Sequence, residues 1–133
     1  MLKCKTYIIS SILLLSTFSY GNLIRPAYGD ELNYIHVLFE WDQEPNAYSY
    51  NLQVSTQQFF NNLILDVVDT STVYIDKDNI NWNDTYYWRV RPLLSCEDCE
   101  FYGDWIDQSS FTTGGTSFQN INVDMYEEEL LED

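Results

Sequence analysis

Residues 33–41, NYIHVLFEW, carry apolar side chains at every second position. Ile35, Val37, Phe39 and Trp41 alternate with Tyr34, His36, Leu38 and Glu40, which predicts a strand with one buried face. The same period runs through AYSYNLQVS (47–55), with Tyr50, Leu52 and Val54 inward and Ser49, Asn51 and Gln53 facing water. YYWRVRPLL (86–94) puts Tyr86, Trp88 and Val90 on one face and Tyr87, Arg89 and Arg91 on the other. LILDVVD (63–69) and TVYI (72–75) read as shorter strands. WIDQSSFTT (105–113) reads as the last strand, closed by Gly114 and Gly115. NLIRPAYGDEL (22–32) reads as a first edge strand and its turn, because proline is tolerated where no ladder donor is needed. Only STQQFFNNL (55–63) has the character of a helical turn. DKDNINWND (76–84) is rich in turn formers. Short strands at near-regular spacing, with no helices between them, predict an all-β antiparallel sandwich or barrel.

The first 21 residues change the picture of compartment. Lys3 and Lys5 precede the apolar run YIISSILLLSTF, and small residues follow it. That order reads as a secretory signal peptide, and the run is shorter than the roughly 20 apolar residues a membrane span requires. Cys4 precedes the run, so it is not placed for lipid attachment. Ser19 and Gly21 mark one exit, and Ala27 and Gly29 another. The first is preferred because the second discards the first edge strand. The expected mature chain is secreted or displayed at the cell surface, with no transmembrane span. Its domain is expected over 22–115, followed by an acidic tail over 116–133.

Losing the leader removes two lysines and no acid. Arg25, Lys77, Arg89 and Arg91 then face 21 acidic residues, an excess of seventeen negative charges. A surface so charged repels phosphate backbones, so no nucleic-acid partner is expected. At 45% hydrophobic and 17% aromatic, the chain is nonetheless too apolar to stay disordered.

One set of residues carries a family resemblance over roughly 22–115. LIRPAYGDEL, VLFEW, AYSYNLQVS, TVYI, INWNDTYYWRVRP, GDW and SFTTG, in that order, resemble a fibronectin type III module of the kind found in secreted microbial proteins. The most specific element is TYYWRVR followed by a loop, a tryptophan and FTT. The resemblance implies seven strands in two sheets, an immunoglobulin-like sandwich. It matches Trp41 to the core tryptophan of the second strand, Tyr86 to the tyrosine that begins the sixth, and Ile80 to the apolar residue six before that tyrosine. Inward parity independently makes Trp41, Tyr50, Tyr86, Trp88 and Val90 the expected core, since large rings fill the roughly 10 Å between two packed sheets. The Cys96–Cys99 pair and the acidic tail depart from the family pattern.

Candidate chemistry is sparse. The one histidine, His36, falls on the outward face of a strand with no orienting partner in reach of the pattern, so no catalytic residue is expected and the chain is read as a non-enzyme. Cys96 and Cys99 lie among Glu97, Asp98 and Glu100, which oppose thiolate formation. Two cysteines and a distant histidine fall short of a zinc site. A disulfide pinning a hairpin tip in an oxidising compartment is the remaining reading. DKDNIN (76–81) offers alternating oxygens, but it lacks the glycine and terminal glutamate of a calcium loop. It reads as a turn capped by Asx side chains. No metal and no cofactor are expected.

Tyr87, Arg89 and Arg91 form an outward stripe with about 6.6 Å between neighbours. Two readings stand. In one, both arginines pair with carboxylates across the sheet. In the other, the tyrosine stacks on a sugar or aromatic ring while the arginines fork onto an anionic partner. The tail TSFQNINVDMYEEELLED reads either as a solvated, disordered end or as a short amphipathic helix or linker start. A single module is short for such a secreted chain, which leaves a longer parent protein in view. The preferred function is a non-catalytic extracellular interaction module, for adhesion, spacing or accessory binding to a protein or glycan. The alternative is a glycan- or small-ligand-binding protein using a sheet face or loop end.

Overall fold

The computed structural model describes residues 21–115. The expected leader, apart from Gly21, and the expected acidic tail lie outside the described residues. Among the described residues nine strands follow in order: β1 (Leu23–Arg25), β2 (Asp30–Leu32), β3 (Val37–Trp41), β4 (Ala47–Ser55), β5 (Leu63–Asp69), β6 (Val73–Asp76), β7 (Thr85–Cys96), β8 (Cys99–Tyr102) and β9 (Asp107–Thr113). They form two sheets. One has the order β1-β3-β6. The other has the order β2-β9-β7-β4-β5, with β8 attached to β7. The molecule is an all-β sandwich, and among the described residues no helix is long and apolar enough to cross a membrane.

The count exceeds seven for two reasons. The expected first edge strand breaks at Pro26, which has no ladder donor, so β1 joins the small sheet against β3 and β2 crosses to the large one. There β2 runs parallel to β9, pairing Asp30 with Phe111, Glu31 with Thr112 and Leu32 with Thr113. The second addition is β8. It forms a hairpin with the end of β7, pairing Leu93 with Tyr102 and Cys96 with Cys99.

Period-two parity builds the core. Val37, Phe39 and Trp41 of β3 meet Tyr50, Leu52 and Val54 of β4, Tyr86, Trp88 and Val90 of β7, and Phe111 of β9, all buried. Phe39 lies edge-on to Trp88 at 5.2 Å between ring centres and to Phe111 at 5.9 Å, and Trp41 lies edge-on to Tyr50 at 5.6 Å. These are the offset arrangements that ring quadrupoles favour. Tyr86 carries its hydroxyl out of this core to accept the Asn81 N–H at 2.8 Å, which anchors the 77–84 loop. Burial raises the Tyr86 phenol pKa above its ordinary value, and the Asn81 N–H opposes that rise. Trp88, fully buried, donates its indole N–H to the Pro26 carbonyl at 3.2 Å.

Three expectations need correction. The strand read over 33–41 begins only at Val37; residues 33–36 form a bend, and His36 is exposed there. The 55–63 stretch contains turns and bends but no helix. Ser49, Asn51 and Gln53 do not face water: each is buried, as is Ser55. Their parity is outward from the sandwich, but the outer face of the large sheet carries its own cover.

Candidate functional site

The cover begins with the stripe on β7. The β4–β7 register sets Asn51 opposite Arg91, Gln53 opposite Arg89 and Ser55 opposite Tyr87. Arg89 donates from Nε and one terminal nitrogen to Gln53 Oε1, at 3.0 and 2.8 Å. Arg91 Nε donates to Asn51 Oδ1 at 2.9 Å. Asn51 Nδ2 donates in turn to Asp66 Oδ1 on β5 at 2.7 Å and to the Val67 carbonyl. The pairing of arginines with carboxylates across the sheet therefore does not form. Amide side chains take the positions opposite, and Asp66 reaches Arg91 only through Asn51. Among the described residues the ion pair present is Arg25 with Glu40, on the small sheet.

Aromatic rings close over the two guanidiniums. Arg89 lies between Phe60, 4.0 Å from its ring centre, and Trp105 at 3.9 Å. Arg91 lies between Trp105 at 4.4 Å and Tyr102 at 3.8 Å. The result is a ladder in the order Phe60, Arg89, Trp105, Arg91, Tyr102. Ring faces are negative, so each contact attracts the cation. The shared indole also separates two like charges that the strand spacing alone holds near each other. Burial first, and Arg91 second, lower the Arg89 pKa from its ordinary value, with Asp66 acting in the other direction.

Phe60 reaches its place at a conformational cost. It has φ of 58°, a left-handed backbone that is an outlier for a bulky side chain. Its ring is nevertheless buried against the sheet. Ser55 supports the loop by donating to the Asn62 carbonyl at 2.7 Å and accepting from the Gln57 N–H. This explains why polar residues of β4 are inside: loops from both ends of the sheet fold over them.

The predicted stripe is thus divided. Tyr87 stands clear of the ladder and lines a shallow cleft with Tyr28, Gln58, Gln108, Ser109 and Ser110, about 350 Å³ in volume. At the other end of the same strand face, Leu93 lines a smaller groove of about 170 Å³ with Glu100, Phe101 and Tyr102. That groove belongs to the β7–β8 hairpin. Past Leu94, β7 is paired only by β8 among the described residues. Cys96 and Cys99 face each other across the two-residue tip, joined by a disulfide. All four residues of β8 are exposed. Phe101 and Tyr102 remain about half exposed, and Tyr48 is exposed beside Glu100.

In the 76–81 loop the Asp76 carboxylate is engaged within the loop itself. Asp76 is buried and accepts from the Asn79 backbone at 2.9 Å and from its side-chain amide at 2.6 Å, an Asx-type turn. Sequence reasoning singled out Arg89 and Arg91 but missed Phe60, Trp105 and Tyr102. The available signal was a pair of outward arginines two residues apart, with aromatic residues in the loops at both ends of the sheet.

No family model matches the chain, and no curated protein does. Among solved structures the chain is similar to a Fn3-like protein from Clostridium thermocellum. The two are 20% identical with a TM-score of 0.48, over 71% of this chain and 90% of that one.

Proposed function

We propose that this chain is a non-catalytic extracellular interaction module whose contact element is the β7–β8 hairpin. The observation that carries the reading is β8 itself, a strand exposed at every position and presenting Phe101 and Tyr102. Aromatic side chains held on a rigid support are favoured anchors at protein interfaces, because they bring large area with little conformational freedom to lose. The disulfide closes the tip and limits that freedom further. Glu100 lines the same groove as Phe101 and Tyr102 and Glu97 and Asp98 precede it in the chain, so the partner surface is expected to offer an apolar pocket rimmed by lysine or arginine. Rim charges of this kind set encounter rate and partner choice more than affinity. The leader supports export, and an oxidising compartment suits the disulfide.

The test is an array of extracellular proteins and glycans probed with the full chain and with a Tyr48→Ala, Phe101→Ala variant. Both positions lie outside the ladder, so the variant should melt like the parent. Protein hits should vanish in the variant and weaken with salt. Protein hits that persist in the variant would remove the hairpin from the interface.

A further inference from the structure

We propose that the cleft between the 26–29 turn and the start of β7 is a second, separate site, and that it binds a neutral saccharide. Its lining is Tyr28, Gln58, Tyr87, Gln108, Ser109 and Ser110. None of these side chains is charged, in a chain with 21 acids and six basic residues. An anionic ligand would find no cation in the lining and would meet the field of the whole domain. A cation would find no carboxylate there. What the cleft offers is ring faces, hydroxyls and amides, the chemistry that grips a sugar: flat C–H faces lie on aromatic rings, and hydroxyls exchange hydrogen bonds with amide and hydroxyl dipoles.

The groups are available and held in place. Gln108 donates to the Gln58 carbonyl at 3.1 Å and Ser109 to the Pro26 carbonyl at 3.4 Å. The hydroxyls of Tyr28, Tyr87 and Ser110 and the Gln58 amide make no hydrogen bond to the described residues. Tyr28 is 83% exposed, yet its turn is fastened on three sides. Trp88 donates to the Pro26 carbonyl, Gly29 N–H donates to the Ser110 carbonyl at 2.8 Å, and Ala27 N–H donates to Asp30 Oδ2 at 2.8 Å. Gly29 takes φ of 82°, which closes the turn without side-chain strain. A large ring fully presented to water on a fixed turn is a preorganised platform, and preorganisation reduces the ordering that binding would otherwise require.

The experiment is a two-dimensional amide NMR titration of the full chain. The neutral probes are cellohexaose, xylohexaose and mannohexaose, and the anionic probe is hexagalacturonate. At least one neutral hexamer should give saturable shifts centred on Gly29, Tyr87 and Gln108–Ser110. Tyr28→Ala and Gln108→Ala should each weaken that binding about tenfold or more, while Phe101→Ala on the hairpin should leave it unchanged. Tyr28 is too exposed for its loss to unfold the domain. The proposal is overturned if none of the three neutral hexamers saturates or if the shifts centre elsewhere. It is equally overturned if Tyr28→Ala binds like the parent, or if hexagalacturonate binds the same residues more tightly.

Discussion

Replacing Trp105 by leucine tests whether the ladder holds the outer face of the large sheet. Its indole contacts two guanidiniums, at 3.9 and 4.4 Å. A cation–π contact is worth roughly 0.5–1 kcal/mol at an exposed site and about 2 when desolvated. Arg89, Arg91 and Trp105 are all half-buried, which places each contact near 1 kcal/mol and the pair near 2. For a domain of this size that corresponds to a fall in Tm of roughly 8–16 °C. Urea unfolding of Trp105→Leu, Arg89→Met, Arg91→Met and the two doubles gives the assay. Each double-mutant cycle should return a coupling of about 1 kcal/mol, the Arg89 cycle at least as large as the Arg91 cycle because its contact is shorter. The lost Gln53 and Asn51 hydrogen bonds cancel within each cycle. Couplings within about 0.3 kcal/mol of zero would refute the ladder as an energetic unit. Couplings that collapse in molar salt would indicate ion pairs in place of ring contacts.

Tyr86→Phe should destabilise by about 1 kcal/mol in the same assay, the net value of the bond from Asn81, and equal stability would deny that bond a role. Trp88→Ala, at a fully buried site, should cost about 3–5 kcal/mol, and a mild effect would mean the core had been misassigned. Burial raises the pKa of both Tyr50 and Tyr86. Their contribution is fully present below the unfolded value near 10 and is lost as pH rises through the higher folded values. Stability should therefore fall on the alkaline side, and Tyr86→Phe should flatten that limb in pH-dependent melting. Reduction should loosen the hairpin tip and leave the fold intact, since the Cys96–Cys99 ring is small and its entropic effect correspondingly weak. Loss of the whole melting transition on reduction would contradict this.

Much of the sandwich was legible because one physical rule, alternation across a half-buried strand, acts locally. It located β3, β4 and β7 and oriented Trp41, Tyr50, Tyr86, Trp88 and Val90 toward the interior. The rule also assumes that the opposite face is wet, and there it misled. Asn51, Gln53 and Ser55 are polar because they bond Arg91, Arg89 and a loop carbonyl, not because they meet solvent. Their cover comes from Phe60 and Trp105, which lie in irregular segments; the strand read over 105–113 begins only at Asp107 and leaves Trp105 in the loop before it. Tyr87, Arg89 and Arg91 were correctly placed on one face, but the strand pattern could not divide them between a cleft and a ladder. Neither β8 nor the crossing of the first strand between sheets left a periodic trace, because each is three or four residues long.

That crossing bears on how the domain would carry tension. β2 follows β1 near the start of the described residues, β9 lies near their end, and the two run parallel. Once β1 has come free of β3, a pull applied at residues 21 and 115 would drag them in opposite directions along their common axis. Their bonds, together with Gly29 N–H to the Ser110 carbonyl and Gly114 N–H to the Leu32 carbonyl, would be loaded side by side and not one after another. A shear of that kind resists until the whole set yields, whereas an antiparallel pair pulled from one end peels open bond by bond. The break at Pro26 thus converts a plain edge strand into a mechanical latch. Under such a load the β2 edge of the large sheet would hold until the β2–β9 set yields as a whole.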